Sequence, residues 1–105
     1  MNKLPNTQRI TSITMNPKAY AICDIGGDMY CSDLTIYFTP HDCYPDYMEV
    51  ADWIAKNIDG KRLNIEDVVE KVYNFLMEEY KPLELEVVNN IMGCRTHFDV
   101  TVSKK

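Results

Sequence analysis

The chain has 105 residues, 46% of them hydrophobic and 26% charged, with 16 acidic against 11 basic side chains and a formal net charge of −5. This is one domain's worth of globular sequence; four glycines and five prolines exclude a collagen-like or linker-rich chain, and an acidic balance without a basic stripe argues against a phosphate-tracking grip on nucleic acid. No apolar run reaches the length of a membrane span and residues 1–9 carry no signal-peptide core, so no membrane contact, a cytoplasmic location and reduced thiols at Cys23, Cys31, Cys43 and Cys94 are expected.

Residues 1–16 read as an N-terminal arm in which Ile10 to Thr14 could extend as an edge segment, and residues 17–105 as a single domain. Lys18 to Cys23 reads as a strand, with Tyr20 and Ile22 on one side and Ala19, Ala21 and Cys23 on the other. Asp24 to Asp28 carries turn chemistry in its two glycines and two aspartates. From Cys31 to Thr39 the chain alternates, Leu34, Ile36 and Phe38 facing one way, which predicts a half-buried strand. Pro40 to Pro45 reads as a loop.

Asp46 stands three residues before Glu49, a capping-box pattern, and Tyr47, Ala51, Ile54 and Ile58 then form one helical face that Gly60 closes. Asn64 and Asp67 repeat the capping pattern before a longer stripe of Ile65, Val68, Val69, Val72, Leu76 and Tyr80. Pro82 ends this second helix, Leu83, Leu85 and Val87 alternate as a strand, Asn89 to Gly93 reads as a turn, and Cys94 to Val102 alternates as a last strand. The order ββααββ predicts an α+β fold, a four-stranded antiparallel sheet with both helices on one face. Its edges lack an evident blocking proline, so a homo-oligomer joined edge to edge, as a ring or barrel, is expected. His41, Cys43, Cys94 and His97 are zinc-type ligands, but Cys94 and His97 would lie on opposite faces of one strand, so no metal is expected.

A ββααββ domain that needs subunits to close its sheet resembles the tunnelling fold. The stretch from Cys23 to Pro40, 17 residues apart, and the segment Gly60 to Asp67 more specifically resemble the 7-cyano-7-deazaguanine reductase family (QueF) and its shorter QueF-like, archaeosine-forming relatives. The resemblance implies a deazapurine nitrile as the small-molecule substrate, free or within a nucleic acid. It implies Cys23 as the nucleophile that forms a covalent thioimide, Asp28 (or Asp24) as the group that manages the proton, and Glu66 as the anchor for the ring's N–H and amino group. Three positions depart from the family pattern. Tyr30 stands seven residues after the cysteine, where the family has its acid, and Ile65 stands in place of a histidine. Glu49 to Asp52 keeps only the acid of the nicotinamide-binding segment. No cofactor is therefore expected, and amidine formation is favoured over NADPH reduction. A non-catalytic purine- or deazapurine-binding or assembly protein of the same fold is the alternative. Each residue also has an ordinary structural role: Cys23 as a small core residue, Glu66 as a carboxylate suited to a helix N-terminus, Asp24 and Asp28 as turn formers.

Overall fold

The computed structural model describes residues 2–92 and 96–104, for residue 92 the backbone alone. The elements are β1 (Lys3–Pro5), β2 (Ile13–Met15), β3 (Lys18–Ile22), β4 (Met29–Thr39), β5 (Cys43–Pro45), α1 (Tyr47–Asn57), α2 (Ile65–Tyr80), β6 (Glu84–Met92) and β7 (His97–Lys104). The main sheet is antiparallel, in the order β2-β4-β6-β7, with β3 also paired to β4.

β2 and β3 lie end to end along the same edge of β4 and in the same register: Met15 pairs with Ile36 and Lys18 with Asp33. They are one strand interrupted at Pro17. A proline has no N–H to complete the rung with Leu34, although its carbonyl still accepts the Leu34 N–H at 3.0 Å. The Asn16 carboxamide donates to the Leu34 carbonyl in its place, so the ladder's hydrogen bonding continues past the proline. The expected four-strand width is thus present, with the predicted edge segment of the arm contributing the outer half of one strand.

Alternation fixes which face is buried. Ser32, Leu34, Ile36 and Phe38 of β4, Leu85, Val87 and Asn89 of β6, and Ala19 and Ala21 of β3 face the helices, while Tyr20, Cys31 and Tyr37 look out from the other side. Val68, Val69, Val72, Leu76 and Tyr80 of α2 meet that face, as the stripe predicts, with Val50, Ile54 and Ile58 from α1 and the residue after it. Burying each such side chain contributes about 1.5–3 kcal/mol relative to exposure. α2 opens with the predicted capping box and ends at Lys81 in the left-handed region, φ 47°.

Several expectations are corrected. The stretch read as a loop between Pro40 and Pro45 contains β5, which pairs with β1 some forty residues away in the chain. Asp46 does cap α1 by accepting the Met48 N–H at 3.0 Å, but Glu49 accepts from the Asn2 N–H and closes no capping box. The buried face of α1 is set by Val50 and Ile54; Tyr47 is exposed. Phe75 joins the core of α2, stacked on Trp53 with ring centroids 4.0 Å apart. Asn89, Asn90 and Ile91 continue β6 instead of turning. Cys31 is exposed on the open face of the sheet. Gly93 and Cys94, placed in a turn and at the start of the last strand, lie outside the described residues.

Candidate active site

Two pieces of local folding bring the candidate residues together. The first is the β3–β4 hairpin. Its last paired residues are Ala21 with Tyr30 and Ile22 with Met29. One position further on, the Cys23 N–H donates to the Asp28 carbonyl at 2.8 Å, and the Gly27 N–H donates to the Cys23 carbonyl at 2.8 Å. Gly27 makes this closure with φ 77°, a conformation that a side chain opposes. Residues opposite one another in an antiparallel pair project from the same face, with Cβ atoms about 5 Å apart. Cys23 and Asp28, five residues apart in sequence, are therefore cross-strand neighbours on the face that Ala19 and Ala21 turn to the helices. Cys23 is half-buried, and its Sγ accepts the Gly26 N–H at 3.4 Å.

The second piece is the connection from α1 to α2, which runs along the outer edge of β3. The Tyr20 N–H donates to Asp59 Oδ1 at 2.8 Å, and the Gly60 N–H donates to the Tyr20 carbonyl at 2.8 Å. The Ile22 N–H donates to the Lys61 carbonyl at 2.8 Å, and the Leu63 N–H donates to the Ile22 carbonyl at 3.0 Å. This edge, expected to be open, is covered. The consequence for the site is direct: the residues just before α2 are strapped to the strand that ends at Cys23, so the first turn of α2 is held beside the hairpin.

Two side chains from the sheet fix that turn from beneath. The Tyr30 hydroxyl donates to the Leu63 carbonyl, and Asn89 Nδ2 donates to the Ile65 carbonyl at 3.1 Å. The backbone is thereby held on both sides of the N-cap Asn64. The Tyr30 phenol is pushed up to about 12, first by burial and then by the nearby Cys23, Asp67 and Glu66. It is neutral at pH 7 and its proton is committed to Leu63.

The result is a cleft of about 540 Å³ lined by Cys23, Asp28, Tyr30, Asn64, Ile65 and Glu66, with Ile25, Met29 and Ile91 as further apolar walls. A flat heterocycle would find apolar surface on its faces and carboxylates at its rim, the usual chemistry of a small-molecule site. Asp28 lines it and Asp24, exposed in the hairpin turn, does not. Ile65 gives the cleft an apolar side chain. Asn64, Tyr30 and Asn89 were not singled out as site residues in sequence: Asn64 reads as a cap, Tyr30 as a departure and Asn89 as a turn former. A second groove, of about 510 Å³, lies between residues 10–17 and the start of α1, and its lining holds no carboxylate, thiol or imidazole. Among the described residues no group of three His, Cys, Asp or Glu side chains is placed to hold a metal ion, and Cys94 of the zinc alternative lies outside them.

No protein-family model and no curated protein sequence matches the chain. Solved structures do. The apo crystal structure of an archaeosine synthase, QueF-Like, superposes with a TM-score of 0.83 at 10% identity, covering 90% of this chain and 93% of that one. A structure described as a dihydroneopterin aldolase, FolB, from Vibrio cholerae O1 biovar El Tor superposes with a TM-score of 0.72 at 15% identity, covering 90% and 97%. The chain has the tunnelling fold. Identities this low speak for the fold, and fold alone does not give a reaction. No helix among the described residues is long and apolar enough to cross a membrane.

Proposed function

We propose that the chain binds a 7-cyano-7-deazaguanine group, free or carried in a nucleic acid, and converts its nitrile to an amidine through Cys23. The observation that carries this reading is the convergence of Cys23, Asp28 and Glu66 on one cleft, from two segments about forty residues apart. Support also comes from the similarity to the archaeosine synthase structure, which has the same fold over 90% of the chain.

The residues act as follows. Glu66, on the first turn of α2, accepts from the ring N–H and the exocyclic amino group, a donor pair that a carboxylate matches with both oxygens. This seats the nitrile toward the hairpin. Asp28 takes the Cys23 thiol proton and the thiolate attacks the nitrile carbon; an S–C bond forms, one π pair moves to nitrogen, and Asp28 returns the same proton to that nitrogen to give the thioimide. Ammonia then adds to the same carbon, the C–S pair returns to sulfur, and the amidine leaves with Cys23 regenerated. Nitrile plus ammonia equals amidine, so no oxidant or reductant enters. A homo-oligomer belongs to the same proposal: β7 ends the sheet on one side, and on the other, among the described residues, the edge of β3 is strapped and that of β2 is free.

One observation favours a second reading, a non-catalytic deazapurine-binding protein. The position of the family acid is occupied by a phenol that is neutral and engaged with Leu63. The two readings part on turnover. The protein, the nitrile base and ammonium are incubated together and the amidine is followed by chromatography. The proposal expects product from the parent, none from Cys23→Ala, and weakened base binding by Glu66→Gln. Binding without turnover, indifferent to Cys23→Ala, selects the second reading; absence of binding overturns both.

A further inference from the structure

We infer that Asn64 is a specificity-determining residue of the cleft, its carboxamide N–H donating to the ring oxygen of a guanine-type base while Glu66 holds the adjacent N–H and amino group. This rests on the reading above and adds a residue that neither the resemblance nor the N-cap role calls for.

The capping box fixes which end of the Asn64 side chain is free. The Asp67 carboxylate accepts the Asn64 backbone N–H at 3.3 Å, and the Asn64 side chain faces the backbone N–H of Asp67 in the capping-box arrangement without reaching full hydrogen-bond geometry. A backbone N–H can be met only by the carboxamide oxygen, so the amide nitrogen with its two hydrogens is the end left over. That nitrogen has no hydrogen-bond acceptor among the described residues. Asn64 is half-buried and lines the cleft.

No other side chain of the lining does this work. Asp28 and Glu66, when ionised, only accept. The Tyr30 proton is spent on Leu63, and the side chains of Ile25, Met29, Ile65 and Ile91 offer no donor. Asn64 therefore supplies the one nitrogen side-chain donor in the wall. A guanine-type edge presents two donors and one acceptor in a row. A carboxylate satisfies the donors, and the oxygen beside them would lie in the cleft without a partner unless a neighbour donates. Asn64 precedes Glu66 by two residues, at the mouth of the same helix, where such a neighbour is needed. A base carrying an amino group in place of the oxygen would set N–H against N–H and be refused.

The test separates the oxygen contact from the cap. Dissociation constants are measured for 7-cyano-7-deazaguanine and for its 6-thio analogue, which keeps both donors that Glu66 takes and presents a much weaker acceptor. The proteins are the parent, Asn64→Ser and Asn64→Asp, both of which can still cap a helix, with Glu66→Gln as reference. The parent is expected to prefer the oxo base. Asn64→Ser loses about tenfold or more for the oxo base with the thio analogue little changed, and Asn64→Asp, an acceptor facing an acceptor, loses more, while both melt near the parent. An unchanged oxo-to-thio ratio in both variants, with binding still dependent on Glu66, overturns the inference and leaves the underlying reading standing. Failure of the parent to bind either base, or binding indifferent to Glu66→Gln, overturns the reading and the inference with it.

Discussion

Replacing Tyr30 by Phe removes a single oxygen from the joint between the sheet and the start of α2. The ring stays, so no cavity opens in the core, and the change isolates the hydrogen bond to the Leu63 carbonyl. A net intramolecular hydrogen bond contributes about 1 kcal/mol, and leaving a part-buried carbonyl without its donor brings the expected loss to about 1–2 kcal/mol. For a domain of this length each kcal/mol moves the melting midpoint by about 4–8 °C. Thermal melts and urea titrations at pH 7 should therefore show a drop of at least about 4 °C with an unchanged urea slope. The pH dependence supplies an independent check. Tyr30 is pushed up to about 12 in the fold, against an ordinary value of 10.0, so the folded state holds its proton more tightly than the unfolded chain does. The stability that goes with the neutral phenol is fully present below pH 10 and is lost as pH rises toward 12. Phenylalanine has nothing to lose there, so the gap between parent and variant narrows above pH 10. Tyr80, also pushed up to about 12, chiefly by burial, remains in both proteins, so the alkaline decline is reduced and not abolished. Equal stability at pH 7, or a gap that stays constant up to about pH 11.5, would mean that the Tyr30–Leu63 hydrogen bond does not hold this joint.

Asn16→Ala should cost about 1 kcal/mol in urea unfolding, because the Leu34 carbonyl loses its side-chain donor beside Pro17; in a Pro17→Ala background, where a backbone N–H is restored to that rung, the same substitution should cost measurably less. Additive effects of the two changes would contradict the substitution of a side-chain donor for a backbone one. Gly27→Ala should destabilise by about 1–2 kcal/mol from its positive φ alone, since a Cβ there meets nothing within 4 Å, whereas Gly26→Ala, whose Cβ would rest 3.8 Å from Cys23 Sγ, should be close to neutral in stability. Thermal melts of the two variants decide it, and similar midpoints would contradict the hairpin geometry that pairs Cys23 with Asp28.

Much of this architecture was legible where local pattern and tertiary demand agree. The alternation of Leu34, Ile36 and Phe38, the stripe from Val68 to Tyr80 and the Asn64–Asp67 box each state one structure twice, once in the local residues and once in the side they bury. The pairing of Cys23 with Asp28 is nearly as readable, since a short loop with a glycine in the positive region brings residues five apart face to face. Other features depend on partners far away in the chain. Nothing near Cys43 announces that Lys3 to Pro5 will pair with it, and Glu49 is drawn from its capping box by the Asn2 N–H. Asn89 and Asn90 have the composition of a turn, yet the Asn89 carboxamide is buried against the Ile65 carbonyl and the strand runs on through both. Pro17 read as the boundary between the arm and the domain and is an interruption within one strand, because Asn16 supplies the missing donor. In the cleft, Cys23, Asp28 and Glu66 were visible through a resemblance. Tyr30, Asn64 and Asn89 were not, because their parts are set by which backbone groups the folded chain leaves for them to meet.

In the proposed reaction Cys23 is the nucleophile toward a ring nitrile seated in the Glu66 cleft. The most direct measurement is the intact mass of the protein after incubation with 7-cyano-7-deazaguanine in the absence of ammonia, beside the Cys23→Ala variant treated identically. A shift equal to the full mass of the base is expected on the parent alone, since addition to a nitrile expels no leaving group, and it should disappear once ammonium is supplied. An unmodified parent under conditions where the base is bound, or an adduct that persists in Cys23→Ala, would contradict it.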